Sequence, residues 1–260
     1  MLAKSKLRVV LVVLAGCALT LGAGVVAAQA EETVTITEAG FSPDALGVPT
    51  NVFGKATVGS TDTPLPSPIT HVNVMGPAGL ALDLEGTGTC TEAVLENQGP
   101  SACPTDSKAG FGGGLGAYEI AREVIHEEYT LDFFLADNRP GHVELLIYLD
   151  GSTPVSIQMV FKAPVIQEPK PYGLGFSVEV PLIKVLPEAS DASALSAFFT
   201  AGAKNIAYYK TIHGKKKLLH VKGIVTPKTC PRGGWPAKSE ISFEDGSTVA
   251  NKIVIPCPKR

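Results

Sequence analysis

Chemistry, if this chain performs any, has to come from a few residue types. The five histidines are His71, His126, His142, His213 and His220. A serine hydrolase needs a serine, a histidine and a carboxylate converging in space. Serines abound, but no Gly-x-Ser-x-Gly elbow presents one as a nucleophile. His71 opens an alternating run and reads as a hydrogen-bonded strand histidine. His126-Glu127-Glu128 invites a metal or acid–base reading, yet it lacks the second histidine of a His-Glu-x-x-His helix. Glu123 and Asp132 are a candidate acid–base pair for a glycosidase-like site, in a segment so acidic that any pair carries little information. Asp132, Asp137 and Asn138 offer oxygens to calcium at a spacing that matches no calcium loop. The run Gly110-Phe111-Gly112-Gly113-Gly114 follows Lys108, whereas a phosphate loop places its lysine after the glycines. It reads as a flexible or bulged entry to a strand. The sequence therefore assigns no catalytic residue, no metal and no cofactor.

The cysteines say more about compartment than about reaction. Lys4, Lys6 and Arg8 precede an apolar run over 9–28 and a small-x-small site, Ala28-Gln29-Ala30. Residues 1–30 read as a signal peptide cut after Ala30. Two rivals are a lipobox, Leu14-Ala15-Gly16-Cys17, and an uncut span of about 20 apolar residues. The mature chain keeps Cys90, Cys103, Cys230 and Cys257. An even count behind an export signal implies two disulfides in an oxidising compartment, so the protein is expected to be secreted or at the cell surface. Three connectivities are possible, and the local one, 90–103 with 230–257, is preferred. Loop closure would then contribute about 3 and about 3.5 kcal/mol. No Cys-x-x-Cys pair supports zinc.

The positioning elements read as strands. Short β-branched runs alternate with turns drawn from 27 glycines and 20 prolines, the spacing of an all-β sandwich. Residues 33–37, 52–58 and 69–75 alternate cleanly, and the prolines at 64, 66 and 68 make 61–68 a surface loop. Residues 118–135 fit both a helical stripe and a buried strand. Residues 189–199 fit a short helix or a loop into a strand. Hairpins are expected at 143–161 around Asp150-Gly151, at 206–225 around a lysine-rich turn, and at 235–255 around Asp245-Gly246. In the last, matching the apolar faces requires an odd loop that sets Phe243 opposite Val249 and Trp235 opposite Cys257. Three prolines over 163–171 suggest a boundary. It divides an acidic lobe, residues 31–165, from a basic one, residues 166–260. The expected fold is all-β: two sandwich-like lobes, or one extended sandwich, with two disulfides.

Charge separates these halves. Residues 31–165 hold 18 acidic and 5 basic side chains, a net −13, and residues 166–260 hold 7 and 14, a net +7. The basic focus is Lys210, His213, Lys215, Lys216, Lys217, His220 and Lys222. It would suit an anionic cell-wall or extracellular polymer. The plain alternative is a solvated loop tip. No aromatic interleaving equips the turn to stack bases, which argues against nucleic acid. A membrane enters only if the leader stays uncut or Cys17 is lipidated.

The motifs Phe41-Ser42-Pro43 with Leu46-Gly47, Cys103-Pro104 with Ser107 to Gly112, and Cys230-Pro231 to Trp235, Phe243, Asp245-Gly246-Ser247 and Cys257-Pro258 are spread over essentially the whole mature chain. In them it resembles a group of uncharacterised secreted actinobacterial-type β-rich proteins. That resemblance implies strands over 118–135 and the local cysteine pairing, and it transfers no activity. The expectation is a non-catalytic extracytoplasmic protein with a binding or structural role. The alternative is a secreted hydrolase using acidic residues of the first lobe.

Overall fold

The computed structural model describes residues 31–152, 154–202 and 206–259, with the backbone alone for 206–208 and 210. Residues 1–30 lie outside the described residues, and with them the expected leader, Cys17 and the expected cleavage site. The described residues form fifteen strands and one α-helix. In chain order these are β1 (Glu32–Ser42), β2 (Pro49–Ser60), β3 (Ile69–Pro77), β4 (Ala81–Asp83) and α1 (Glu92–Gln98). Then come β5 (Lys108–Ile120), β6 (Glu123–Arg139), β7 (His142–Gly151), β8 (Ile157–Gln167) and β9 (Tyr172–Glu179). The chain continues with β10 (Ser193–Ala201), β11 (Ile206–Ile212), β12 (Lys215–Val221), β13 (Gly223–Val225), β14 (Trp235–Phe243) and β15 (Thr248–Ile255).

One antiparallel path runs β15-β14-β3-β9-β8-β7-β6-β5-β10-β2, with β1 and the short β13-β4 pair also joined to β2. The path folds back on itself. β8 pairs with β7 through residues 157–164 and with β9 only through Val165, Ile166 and Gln167. At the far margin β1 lies beside β15 without a ladder between them. The result is a sandwich of two walls hydrogen-bonded to each other at one corner. Phe176 on β9 meets Phe199 on β10 edge to face, with ring centroids 6.1 Å apart. These strands are far apart along the path, so the contact crosses the interior. The expected division at 165/166 falls within β8, and strands from either side of it interleave. The two segments share one sheet rather than building a lobe each.

Period-two alternation sends Leu131, Phe133 and Leu135 of β6 inward and Phe134 outward. The outward side chains are not left to solvent. Cys90–Cys103 staples the segment carrying α1 over the outer face of β6–β8. Thr91 caps α1 by accepting a hydrogen bond from the Val94 amide at 3.3 Å. The Cys90 amide donates to the Leu135 carbonyl at 2.7 Å, tying the loop to the wall.

Residues 118–135 resolve as two strands, as the resemblance implied. They turn at Ala121 and Arg122, with φ of 52° and 70°. That turn normally takes Asn-Gly, so its residues give no turn signal and the helical stripe competes. Residues 193–201 are strand β10, not helix. Asp150-Gly151 is not the expected turn: Gly151 is still paired, with Ile157, and the loop follows it. The C-terminal hairpin has the expected odd loop but a register two residues tighter. Ile241 faces Val249, and Trp235 faces Ile255 rather than Cys257. The reason lies in the loop, where the Phe243 amide donates to the Ser247 carbonyl and the Ser247 amide to Asp245 Oδ1. These bonds close the loop over 244–246 and set Phe243 opposite Ser247, so it cannot face Val249. The glycine run lies within β5, beyond an irregularity at Lys108/Gly110. A Cβ at Gly114 would stand 2.0 Å from the Ser196 carbonyl oxygen and 2.5 Å from the Tyr129 hydroxyl. Only glycine allows that approach of β5 to β10.

Candidate functional site

The two walls do not fill the space between them. A cavity of about 450 Å³ runs through the interior. Ile36, Val72, Leu131, Leu149, Phe176 and Phe199 line it, pointing inward yet only half-buried. In a filled core such side chains lose nearly all exposure, as Leu146 at 1% and Phe134 at 3% do on the outer side of the same wall. The lining is mostly aliphatic and aromatic, with a few polar side chains among it. Glu127 is one of them, 7% exposed at the end where β5 and β6 approach their turn. Burial, aided by the Glu127 charge, pushes the Tyr118 phenol above its ordinary range. Burial likewise pushes the Tyr129 phenol well up, and its hydroxyl donates to the Ser196 carbonyl at 2.8 Å. Pro181, Leu182 and Ile183 bring the connection between β9 and β10 against this end. The Lys184–Asp191 pair and the Lys184 bond to the Ala189 carbonyl brace that connection.

A second, polar concavity of about 400 Å³ lies between α1 and the outer face of β6–β8, where Asp132, Tyr148, Asp150 and Gln158 meet Glu96. Burial first, then the charges of Asp150 and Asp132, raise the Tyr148 phenol. Lys108 pairs with Asp132 at 2.6 Å.

The candidate chemistry disperses. Glu123 and Asp132 stand nine residues apart on the one strand β6, about 30 Å, so they are not a pair. Asp137 is engaged by Arg139, and Asn138 donates to Thr87. With Asp132 held by Lys108, the three do not make a calcium set, and no metal-holding cluster occurs among the described residues. His126 and His142 are exposed, and Asp137, whose charge His142 feels, is already held by Arg139. His71 makes the hydrogen bonds expected of a strand histidine, in a suggestive order. Its Nε2 is 3.1 Å from Ser177 Oγ and its Nδ1 2.9 Å from Glu179 Oε1. The three share the outer face of β3–β9, and the Glu179 side chain is 87% exposed. Sequence reasoning missed this row because its members come together only through the register.

The four cysteines form the two local disulfides, with Cα separations of 5.3 and 5.8 Å. Trp235 is fully buried against the edge of Phe41, 5.2 Å away, and the Cys230 side chain packs into the same cluster.

The lysines do not form a turn. His213 and Gly214, with φ of 50° and 74°, make the turn, and Lys215, Lys216 and Lys217 belong to β12. β11 and β12 pair only with each other. Lys215, Lys216, Lys217 and Lys222 are exposed, and the Lys210 side chain lies outside the described residues. Tyr209 faces Leu218 across the ribbon, 64% and 50% exposed, with Lys216 Nζ 4.6 Å from the Tyr209 ring centroid.

No family model, no curated protein and no solved structure matches this chain.

Proposed function

We propose that the protein is a non-catalytic, extracytoplasmic binding protein that holds an apolar molecule between its two walls. The observation that carries this reading is the cavity: about 450 Å³, lined almost wholly by aliphatic and aromatic side chains. That volume falls in the range of sites that bury small ligands. The two disulfides suit an oxidising, extracytoplasmic compartment. The lining brings no nucleophile, base and acid together. Support for the hydrolase alternative comes from the Ser177–His71–Glu179 row. That row lies on the outer face of the sandwich, away from the cavity, and leaves its carboxylate in water. A buried, orienting acid and a pocket for the acyl group are what such a row needs to act.

The test is direct. Protein recovered after export of the full chain is titrated with a fluorescent 18-carbon fatty acid, and its solvent extract is analysed by mass spectrometry. Saturable binding near micromolar affinity is expected, weakened at least tenfold by Leu131→Trp, which pushes an indole into the cavity. Binding that survives Leu131→Trp unchanged, or none at tens of micromolar, overturns the reading. A fluorophosphonate adduct at Ser177 would restore the hydrolase.

A further inference from the structure

We propose that the β11–β12 ribbon docks the protein on an anionic lipid bilayer, setting the rim of the cavity against the headgroups. Residues 206–222 contain five lysines, two histidines and no carboxylate. Among the described residues no carboxylate forms an ion pair with Lys215, Lys216, Lys217 or Lys222. In the register of the ribbon Lys217 stands opposite position 210, and Lys215, Lys216 and Lys217 follow one another along β12 with their side chains exposed.

Charge alone would suit any polyanion. The second observation selects lipid. Tyr209 and Leu218 stand side by side on the ribbon, both more exposed than not, with Lys216 over the tyrosine ring. A soluble polymer of phosphates or carboxylates gives these two side chains nowhere to go. At a bilayer surface the apolar pair enters the headgroup boundary, where tyrosine is favoured, while the lysines stay at the level of the lipid phosphates. Residues 31–165, at net −13, are repelled by the same surface, so the molecule approaches ribbon first. The roots of the ribbon tie it to the cavity. Ala201 and Gly202 on one side and Ile224 on the other line the cavity. Docking therefore brings that rim to the lipid, whatever the cavity holds.

The experiment is co-sedimentation of the exported protein with vesicles of phosphatidylglycerol and, separately, of phosphatidylcholine. The quantity read is the difference between them, measured on protein whose mass shows residues 1–30 to be absent, since Lys4, Lys6 and Arg8 would themselves favour phosphatidylglycerol. Clear preference for phosphatidylglycerol is expected, falling as salt is raised. Lys215→Glu, Lys216→Glu and Lys217→Glu together should weaken partitioning about a hundredfold. Tyr209→Ser with Leu218→Ser should weaken it about tenfold while leaving binding to soluble polyphosphate unchanged. Because among the described residues the ribbon pairs with itself alone, the thermal midpoint checks the sandwich of each variant, and retained polyphosphate binding checks the ribbon of the serine pair. Equal partitioning to both vesicles overturns the proposal. So does a serine pair that binds phosphatidylglycerol like the parent, which would assign the lysines to a polymer. Failure of fatty-acid binding leaves the vesicle result standing, so the two proposals fall separately.

Discussion

Two apolar regions share one wall, β6 to β8, and are built in opposite ways. On the outer side, Phe134, Leu146 and Tyr148 are clamped beneath the Cys90–Cys103 loop and the short α1, with exposures of 3%, 1% and 7%. On the inner side, Leu131, Leu145 and Leu149 face a space that no described side chain fills. The smaller cluster is the solid one, and the larger encloses. Apolar residues on one strand thus do different work according to what covers them. The disulfide-held flap covers its cluster completely, whereas the walls meet across the interior at contacts such as Phe176–Phe199 and leave space beside them.

Truncation should expose that contrast most visibly. Leu146→Ala removes contacts in a filled cluster and should destabilise by about 3–4 kcal/mol. Leu149→Ala, facing the cavity, should lose about 1 kcal/mol, because much of its surface is already without neighbours. Urea unfolding of both reads the contrast, and equal losses would mean that the interior is filled. Removing the staple with Cys90→Ser and Cys103→Ser should lose about 3 kcal/mol by loop closure, with the outer cluster exposed and fatty-acid affinity nearly unchanged. Enlargement sharpens the comparison further. Leu146→Trp should overpack and destabilise by about 2 kcal/mol, whereas Leu131→Trp should leave the urea midpoint in place and abolish ligand binding.

The smallest effect concerns Glu32, at the end of the sandwich where β1 begins. Burial raises its carboxyl above the ordinary 4.5, opposed by the hydrogen bond from the Ser67 amide and helped by the charge of Asp245. A raised acid binds its proton more tightly in the folded state. Its penalty is therefore absent below about 4.5 and complete above the folded value, so stability falls as pH rises through that window. Glu32→Gln should change nothing near pH 4 and give a small gain at pH 7. A constant offset at both would assign the effect to packing instead.

Alternation and cysteine placement made much of the fold legible. The strand over 69–75, the proline loop over 61–68 and both disulfides follow from local pattern. The turns were less legible. Ala121-Arg122 turns the chain with residues that announce no turn, and both Asp-Gly pairs miss the two-residue turn position. Backbone hydrogen bonds within the loops decide such registers, and composition does not encode them. The lysine cluster was visible as charge, but its pairing with Tyr209 and Leu218 was not. Side chains nine residues apart become neighbours only when β11 meets β12.

Sequence alone pointed to an all-β chain with local cysteine pairing and showed opposite charge in its halves. Each of these is a property of neighbours along the chain. Only the tertiary structure decided that strands from both halves interleave, that the largest apolar surface surrounds a space, and that Ser177, His71 and Glu179 line up on an outer face. The physical reason is that alternation tells a strand which side is greasy. Whether that side meets a partner at contact distance depends on how far apart the walls are held, and the distant connections set that spacing.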